Sequence, residues 1–406
     1  MSNEVHFQED TNGLSDPKGY LAAAVSADIR GNGGDRLDTG IVYSLSPCAA
    51  AGVFTKNAVK AAPVLDCERI LGLGTPIHGI VANSGNANAC TGTQGIQDSL
   101  EMIRSAEAAC GAPKNGFLVC STGRIGDLLP MDRIKPAIAK LGESIEKDRA
   151  CGAEFATCIL TSDTRNKTCT AQFEINGKLV SVGGAAKGAG MIQPDMATML
   201  AFVTTDIAAS SAELKSLLVE AVDPTFNAIT VDGDMSTNDT ALVLANGESG
   251  VTLDDQSRAL FKEALYRVCD CLADKIVSDG ERITKVVEIL ISGAASNSDA
   301  ENIARAIGNS LLVKTSWYGN DPNWGRLMDA LGYADAQIDQ YVIDISYDDA
   351  PALVSGDPIP NNKPKWKEVV SQSRFTIKID MHQGDGIYRL RASDLTEGYV
   401  DFNKSE

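Results

Sequence analysis

The sequence predicts an α/β fold followed by a smaller C-terminal α+β domain, and three observations lead there. Short apolar, strand-like runs alternate with helical patterns between Gly19 and Ile276. The 406 residues are 44% hydrophobic, enough for substantial cores in one large or two ordinary domains. Beyond a strand pattern at Val286 to Ile291, alternating runs at Tyr341 to Tyr347 and Phe375 to Asp380 are separated by a Pro- and Lys-containing stretch, Asp357 to Trp366. The expected division is a domain of residues 1–285 and one of residues 286–406.

Taken in order, Gly19 to Ala27 and Thr39 to Tyr43 read as short strands, and Ala49 to Thr55 as a small-residue run suited to close packing. Ile77 to Val81 reads as a strand entering Asn83-Ser84-Gly85-Asn86-Ala87-Asn88, whose residue types suit turn chemistry better than a site wall. Ile96, Leu100, Ile103, Ala106 and Cys110 recur at helical spacing and predict an amphipathic helix from Gln94 to Cys110. A strand at Phe117 to Cys120 then delivers Ser121-Thr122-Gly123-Arg124-Ile125-Gly126, a turn able to present a hydroxyl and backbone N–H groups. Cys158 to Leu160 reads as another strand, ending at Thr161-Ser162-Asp163-Thr164. Alternation from Ala171 to Val182 around Asn176-Gly177 predicts a hairpin. Ser210 to Glu213 forms a capping box opening a helix through Ala221, and Leu242 to Leu244 returns to the sheet. Phe261, Leu265, Val268 and Leu272 mark a long helix ending near Ile276. Ala300 to Ser310 reads as a helix, and Asp321 to Arg326 as a turn opening another, with Trp324 a packing anchor.

Composition narrows the function. A formal charge of −18, from 54 acids and 36 bases, argues against nucleic acid as a partner. The first residues lack a basic region followed by an apolar core, and no apolar run approaches the ~18 residues of a membrane span, so a cytoplasmic protein without a membrane partner is expected. Ten scattered cysteines form no disulfide framework, and His6, His78 and His382 are the only histidines, none near the Cys269 and Cys271 pair, so no metal site is expected. The same scarcity argues against a Ser-His-Asp arrangement.

The least ordinary stretch runs from Lys187 to Phe202. Gly188 and Gly190 permit unusual backbone geometry, Pro194 biases Gln193 away from helix, and a small-residue apolar run then begins at Ala197 with one hydroxyl, Thr198. On pattern alone this is a loop feeding a buried helix or strand, with Thr198 a satisfied polar residue. The glycines of 183–190 lack the Gly-Lys-Ser/Thr order of a phosphate loop.

This run, with the ordered stretches AAGVFTKNAVKAAPV, ANSGNANACTG, CSTGRIG, LTSDT, TVDGDMSTNDT, DGERITK and DPNWGR, resembles the glutamate N-acetyltransferase family, also called ornithine acetyltransferase. The resemblance implies a layered α/β sandwich of the self-processing type that cuts itself at Ala197-Thr198. The chain from Thr198 then carries a threonine nucleophile whose α-amine, with an ordinary pKa of about 8, can act as base. It implies an oxyanion hole from Thr122 and Gly123, and substrate contacts from Thr161, Lys187, Thr198, Glu281 and Asn403. The implied substrates are N-acetylornithine and glutamate, with no metal or organic cofactor and with acetyl-CoA as a possible alternative donor. The implied assembly is two copies of each cleaved fragment, an α2β2 heterotetramer. Three departures bear on specificity: Arg282 and Ile283 stand where the family has Gly and Ala, Asn403 is followed only by Lys404-Ser405-Glu406, and Gly386 to Leu390 lacks the usual Trp-Gly-Cys-Asp. The rival readings are a self-processing amidohydrolase or aminopeptidase, a transferase of altered donor specificity, and a non-catalytic scaffold.

Overall fold

The computed structural model describes residues 4–145, 151–193 and 199–404. The chain divides into two compact units: the first holds residues up to Gly188, 194–227 and 235–276, and the second holds 189–193, 228–234 and everything from Val277. The break therefore falls nine residues before the expected 285/286 boundary, at the end of the Asp255–Val277 helix. Two short segments from the middle of the chain also belong to the second unit. Composition cannot reveal them, because they are tied in by backbone hydrogen bonds.

In the first unit, nine strands among the described residues form a mixed sheet. Its order is His6–Glu9, Lys167–Ile175, Lys178–Lys187, Leu200–Thr205, Thr240–Ala245, Thr39–Phe54, Ile77–Asn86 and Phe117–Arg124, with Tyr20–Val25 paired to Thr39–Phe54. Leu200–Thr205 runs parallel to Thr240–Ala245, and Ile77–Asn86 parallel to Phe117–Arg124. The hairpin around Asn176-Gly177 is present, with φ of 50° and 75° at the two turn residues. So are the Gly92–Cys110 helix and the Ser210–Glu213 capping box. The core is apolar and close-packed, and Phe155 stands edge-on to Phe202 with ring centroids 5.5 Å apart.

Four local expectations are corrected. Asn83 to Asn86 is strand, since Ile77–Asn86 keeps its register with Ser121, Thr122 and Gly123 through the polar residues. Thr122 and Gly123 accordingly lie inside the Phe117–Arg124 strand and not in a turn beyond it. Cys158 ends a helix, Gly152–Cys158, where a strand was expected. Lys187, expected to open a loop, is the last residue of the Lys178–Lys187 strand.

In the second unit, seven strands among the described residues form a sheet ordered Asp357–Pro358, Ala350–Val354, Asp344–Tyr347, Arg374–Asp380, Val286–Ala294, Gly386–Ser393 and Ile229–Thr230. The Asn297–Asn309 and Trp324–Gly332 helices pack on it, Trp317 stands edge-on to Phe375, and Trp324 lies half-buried against the same core. Among the described residues no helix is long and apolar enough to cross a membrane.

Phe155 is fully buried against Phe202 of the Leu200–Thr205 strand. Phe155→Ala should lower the stability of the first unit by about 3–5 kcal/mol in urea unfolding monitored by circular dichroism. A loss under about 1 kcal/mol would show that the site collapses around the truncation.

Candidate active site

The expected cleavage pair, Ala197 and Thr198, lies outside the described residues, but its downstream frame does not. Leu200 pairs with Lys187 in antiparallel register and with Thr240 in parallel register, and the Thr240 N–H donates to Met199 O at 3.1 Å. Lys187 is 4% exposed and its Nζ donates to Thr122 Oγ1 at 3.2 Å. That contact leaves the Thr122 hydroxyl proton free to point elsewhere, as an oxyanion donor requires. Gly123 follows with φ 137°, and a Cβ there would lie 2.2 Å from Gly85 C and 2.4 Å from Asn86 N, so packing between the two strands admits only glycine.

Thr161 enters the same cluster through Asp163. The Asp163 carboxylate is wholly buried and accepts from Lys167 Nζ at 2.7 Å, from the Gly188 N–H at 2.7 Å and from the Thr161 N–H at 3.0 Å. Burial alone would push this carboxyl up, but Lys187 and Lys167 outweigh burial and hold it well below the usual carboxylate range. The structure thus brings Thr122, Gly123, Thr161 and Lys187 into one connected set.

The stretches that carry the resemblance converge here. Asn238 Nδ2 donates to Ala87 O at 2.6 Å and to Ser121 O at 2.9 Å, and Thr55 Oγ1 donates to Ser236 O at 2.8 Å. Asp239, 2% exposed, is a residue that sequence reasoning missed: neither of its oxygens completes a hydrogen bond. Burial pushes its carboxyl well above the ordinary range, only partly offset by the nearby Met199 N–H and the Lys187 charge, while the Thr55 hydroxyl donates to Ser236. In the sequence Asp239 reads as the polar start of an apolar strand. Asp163 was equally silent, a loop residue whose partners are set by tertiary structure.

In the second unit, Glu281 and Asn403 come together. The Glu281 N–H donates to Ala189 O at 3.1 Å, and Asn403 Nδ2 reaches Glu281 Oε2 at 3.5 Å, the outer limit of a hydrogen bond. The Glu281 carboxylate lies flat against Gly190, where a Cβ would come within 2.4 Å of Oε1. Residues 189–193 are held by Asp232, which accepts from the Met191 N–H at 2.6 Å and the Ile192 N–H at 2.8 Å. Burial pushes the Asp232 carboxyl up, against those donors. Met191 holds φ 58°, a strained backbone for a residue with a side chain. Among the described residues no group of His, Cys, Asp and Glu could hold a metal ion.

Comparison with known proteins places the chain in a family. Residues 21–405 match the model of the ArgJ family. The arginine biosynthesis bifunctional protein ArgJ of Symbiobacterium thermophilum is 44% identical over 396 residues, covering 97% of this chain and 98% of that protein. The ArgJ of Thermotoga neapolitana is 42% identical, covering 95% and 98%. Among solved structures, the Bacillus halodurans ArgJ crystal structure has 36% identity and a TM-score of 0.49, covering 52% of this chain and all of that one. The Mycobacterium tuberculosis ornithine acetyltransferase complexed with ornithine has 34% identity and a TM-score of 0.42, covering 47% of this chain and 99% of that one.

Removing the Asp163 charge should expose its structural weight. Asp163→Asn should cost roughly 3–5 kcal/mol at neutral pH, because two buried ammonium groups lose their counter-charge. A depressed carboxyl contributes stability above its unfolded pKa and loses it as pH falls, so the gap from wild type should shrink below about pH 4. Urea unfolding at pH 7 and pH 3 checks this, and an equal gap at both would remove the charge account.

Proposed function

The chain belongs to the ArgJ family, and from that premise we propose that it is an acetyltransferase of arginine biosynthesis, moving the acetyl group of N-acetylornithine to glutamate through an acetyl ester on Thr198. The single observation that carries the reading is the Lys187 ammonium resting on the Thr122 hydroxyl, in register with the strand that follows Thr198.

Maturation begins when Thr198 Oγ attacks the Ala197 carbonyl. The peptide nitrogen leaves with a proton, an ester forms, and water opens it to give two chains. The freed α-amine then accepts the Thr198 hydroxyl proton while Oγ attacks the acetyl carbon of N-acetylornithine. Thr122 and Gly123 donate to the resulting oxyanion, ornithine departs with a proton, and glutamate takes the acetyl group by the reverse path. Lys187 offers a cation to a substrate carboxylate, Thr161 supports that end, and Glu281 with Asn403 suits the ornithine amine.

The reading requires no metal or organic cofactor, since nucleophile, base and oxyanion donors suffice for exchange between an amide and an ester. Acetyl-CoA as a second donor, the fragments paired as a heterotetramer and a cytoplasmic location belong to the same proposal.

Intact mass tests the first step: purified protein should appear as two fragments, the second beginning at Thr198, while Thr198→Ala stays at 42.8 kDa. Uncut wild type after long incubation would remove Thr198 as nucleophile. Thr122→Ala should lower kcat by ~10²–10³ with the fold intact by circular dichroism. Initial rates against N-acetylornithine and glutamate should give parallel double-reciprocal lines. Turnover of the donor that ignores glutamate would make the enzyme a hydrolase instead.

A further inference from the structure

Arg282 occupies a position where the family pattern has glycine, and its backbone explains why that pattern exists. Its φ is 55°, the left-handed region that glycine enters without cost and other residues enter rarely. An arginine kept in such a geometry needs compensation, and the structure supplies two contacts to Arg282 itself. The guanidinium carbon lies 5.4 Å from the centre of the Phe402 ring, a cation–π distance. The Arg282 carbonyl accepts the Thr396 hydroxyl at 2.7 Å. That same Thr396 oxygen caps the Glu397–Asn403 helix by accepting the Tyr399 N–H at 3.1 Å.

The helix so gripped buries none of its own residues. Its ties to the rest of the unit include the Tyr399 hydroxyl to Asp232 Oδ2 at 3.3 Å and Asn403 to Glu281 at 3.5 Å, both long. A seven-residue helix without a buried face has little intrinsic stability. Side-chain contacts from outside it must therefore keep it in place.

We propose that Arg282 is a positioning residue: its guanidinium clasps Phe402 and its carbonyl clasps Thr396, holding the last helix so that Asn403 meets Glu281. The effect on catalysis rests on the reading that Glu281 and Asn403 touch substrate. The effect on the helix does not.

Two measurements on the self-processed enzyme separate these claims. Glycine is at ease at φ 55°, so Arg282→Gly should fold normally. Hydrogen exchange of the amides in 399–403 should quicken by about two- to fivefold in Arg282→Gly and Phe402→Ala, the scale of an exposed cation–π contact. The double variant should be no faster than either single one, and Arg282→Lys should recover part of the protection. KM for N-acetylornithine should rise by a similar factor while kcat holds. Unchanged exchange in Arg282→Gly, or additive effects in the double variant, would overturn the clasp. Quickened exchange with unchanged KM would overturn the positioning role. Glu281→Gln serves as the control on the underlying reading: an unchanged KM there would remove Glu281 as a substrate contact while leaving the helix result standing.

Discussion

Asp163 keeps its charge where water does not reach, and Lys167 and Lys187 make that possible. A buried carboxylate is tolerated only when opposite charge and hydrogen bonds replace its hydration shell, and here two ammonium groups and two backbone N–H groups do so. The arrangement fixes four things at once: the 161–164 bend, the start of the Lys167–Ile175 strand, the end of the Lys178–Lys187 strand and the Gly188 backbone. With Lys187 placed, Thr122 has a partner, and with Thr122 placed the strand end that carries Gly123 is committed. The other lysine, Lys167, has no place in the chemistry proposed for the site. Its contribution is to let Lys187 serve as a cation without being wholly consumed by Asp163.

How far this could be read in advance differs by residue. The hairpin at Asn176-Gly177 and the capping box at Ser210 announce themselves because turns and caps obey local rules, and both are where expected. The strand through Asn83 to Asn86 is invisible to hydropathy, because what sustains it is lateral: register with Ser121 to Gly123 and a Ser121 hydroxyl donating to Asn83 Oδ1 at 2.6 Å. Cys158 to Leu160 misled for the opposite reason, since three apolar residues are too few to show a period. Thr122, Gly123, Thr161 and Lys187 were named through resemblance and stand together in the first unit. Asp163 and Asp239 were given no role, because an acid takes one only from the groups that tertiary structure sets around it.

Arg282 shows how a departure from a family pattern can be informative. Bulk and charge beside Glu281 suggested an altered substrate wall, yet the guanidinium turns to Phe402 and the carbonyl to Thr396. The substitution works through the backbone and the last helix, and its side chain is occupied before any ligand arrives.

The division of the chain bears on what a cut between 197 and 198 can accomplish. The strand ending at Lys187 lies on the upstream product and its partner, Leu200–Thr205, on the downstream one, side by side in the same sheet. In the second unit, the upstream residues Ala189 and Ile192 offer their carbonyls to the Glu281 and Val231 N–H groups of the downstream product, at 3.1 Å and 2.6 Å. Neither compact unit is made from one product alone. A cut there would therefore liberate an amine without liberating a domain, since each unit draws chain from both sides of it, like a cord laid from two plies.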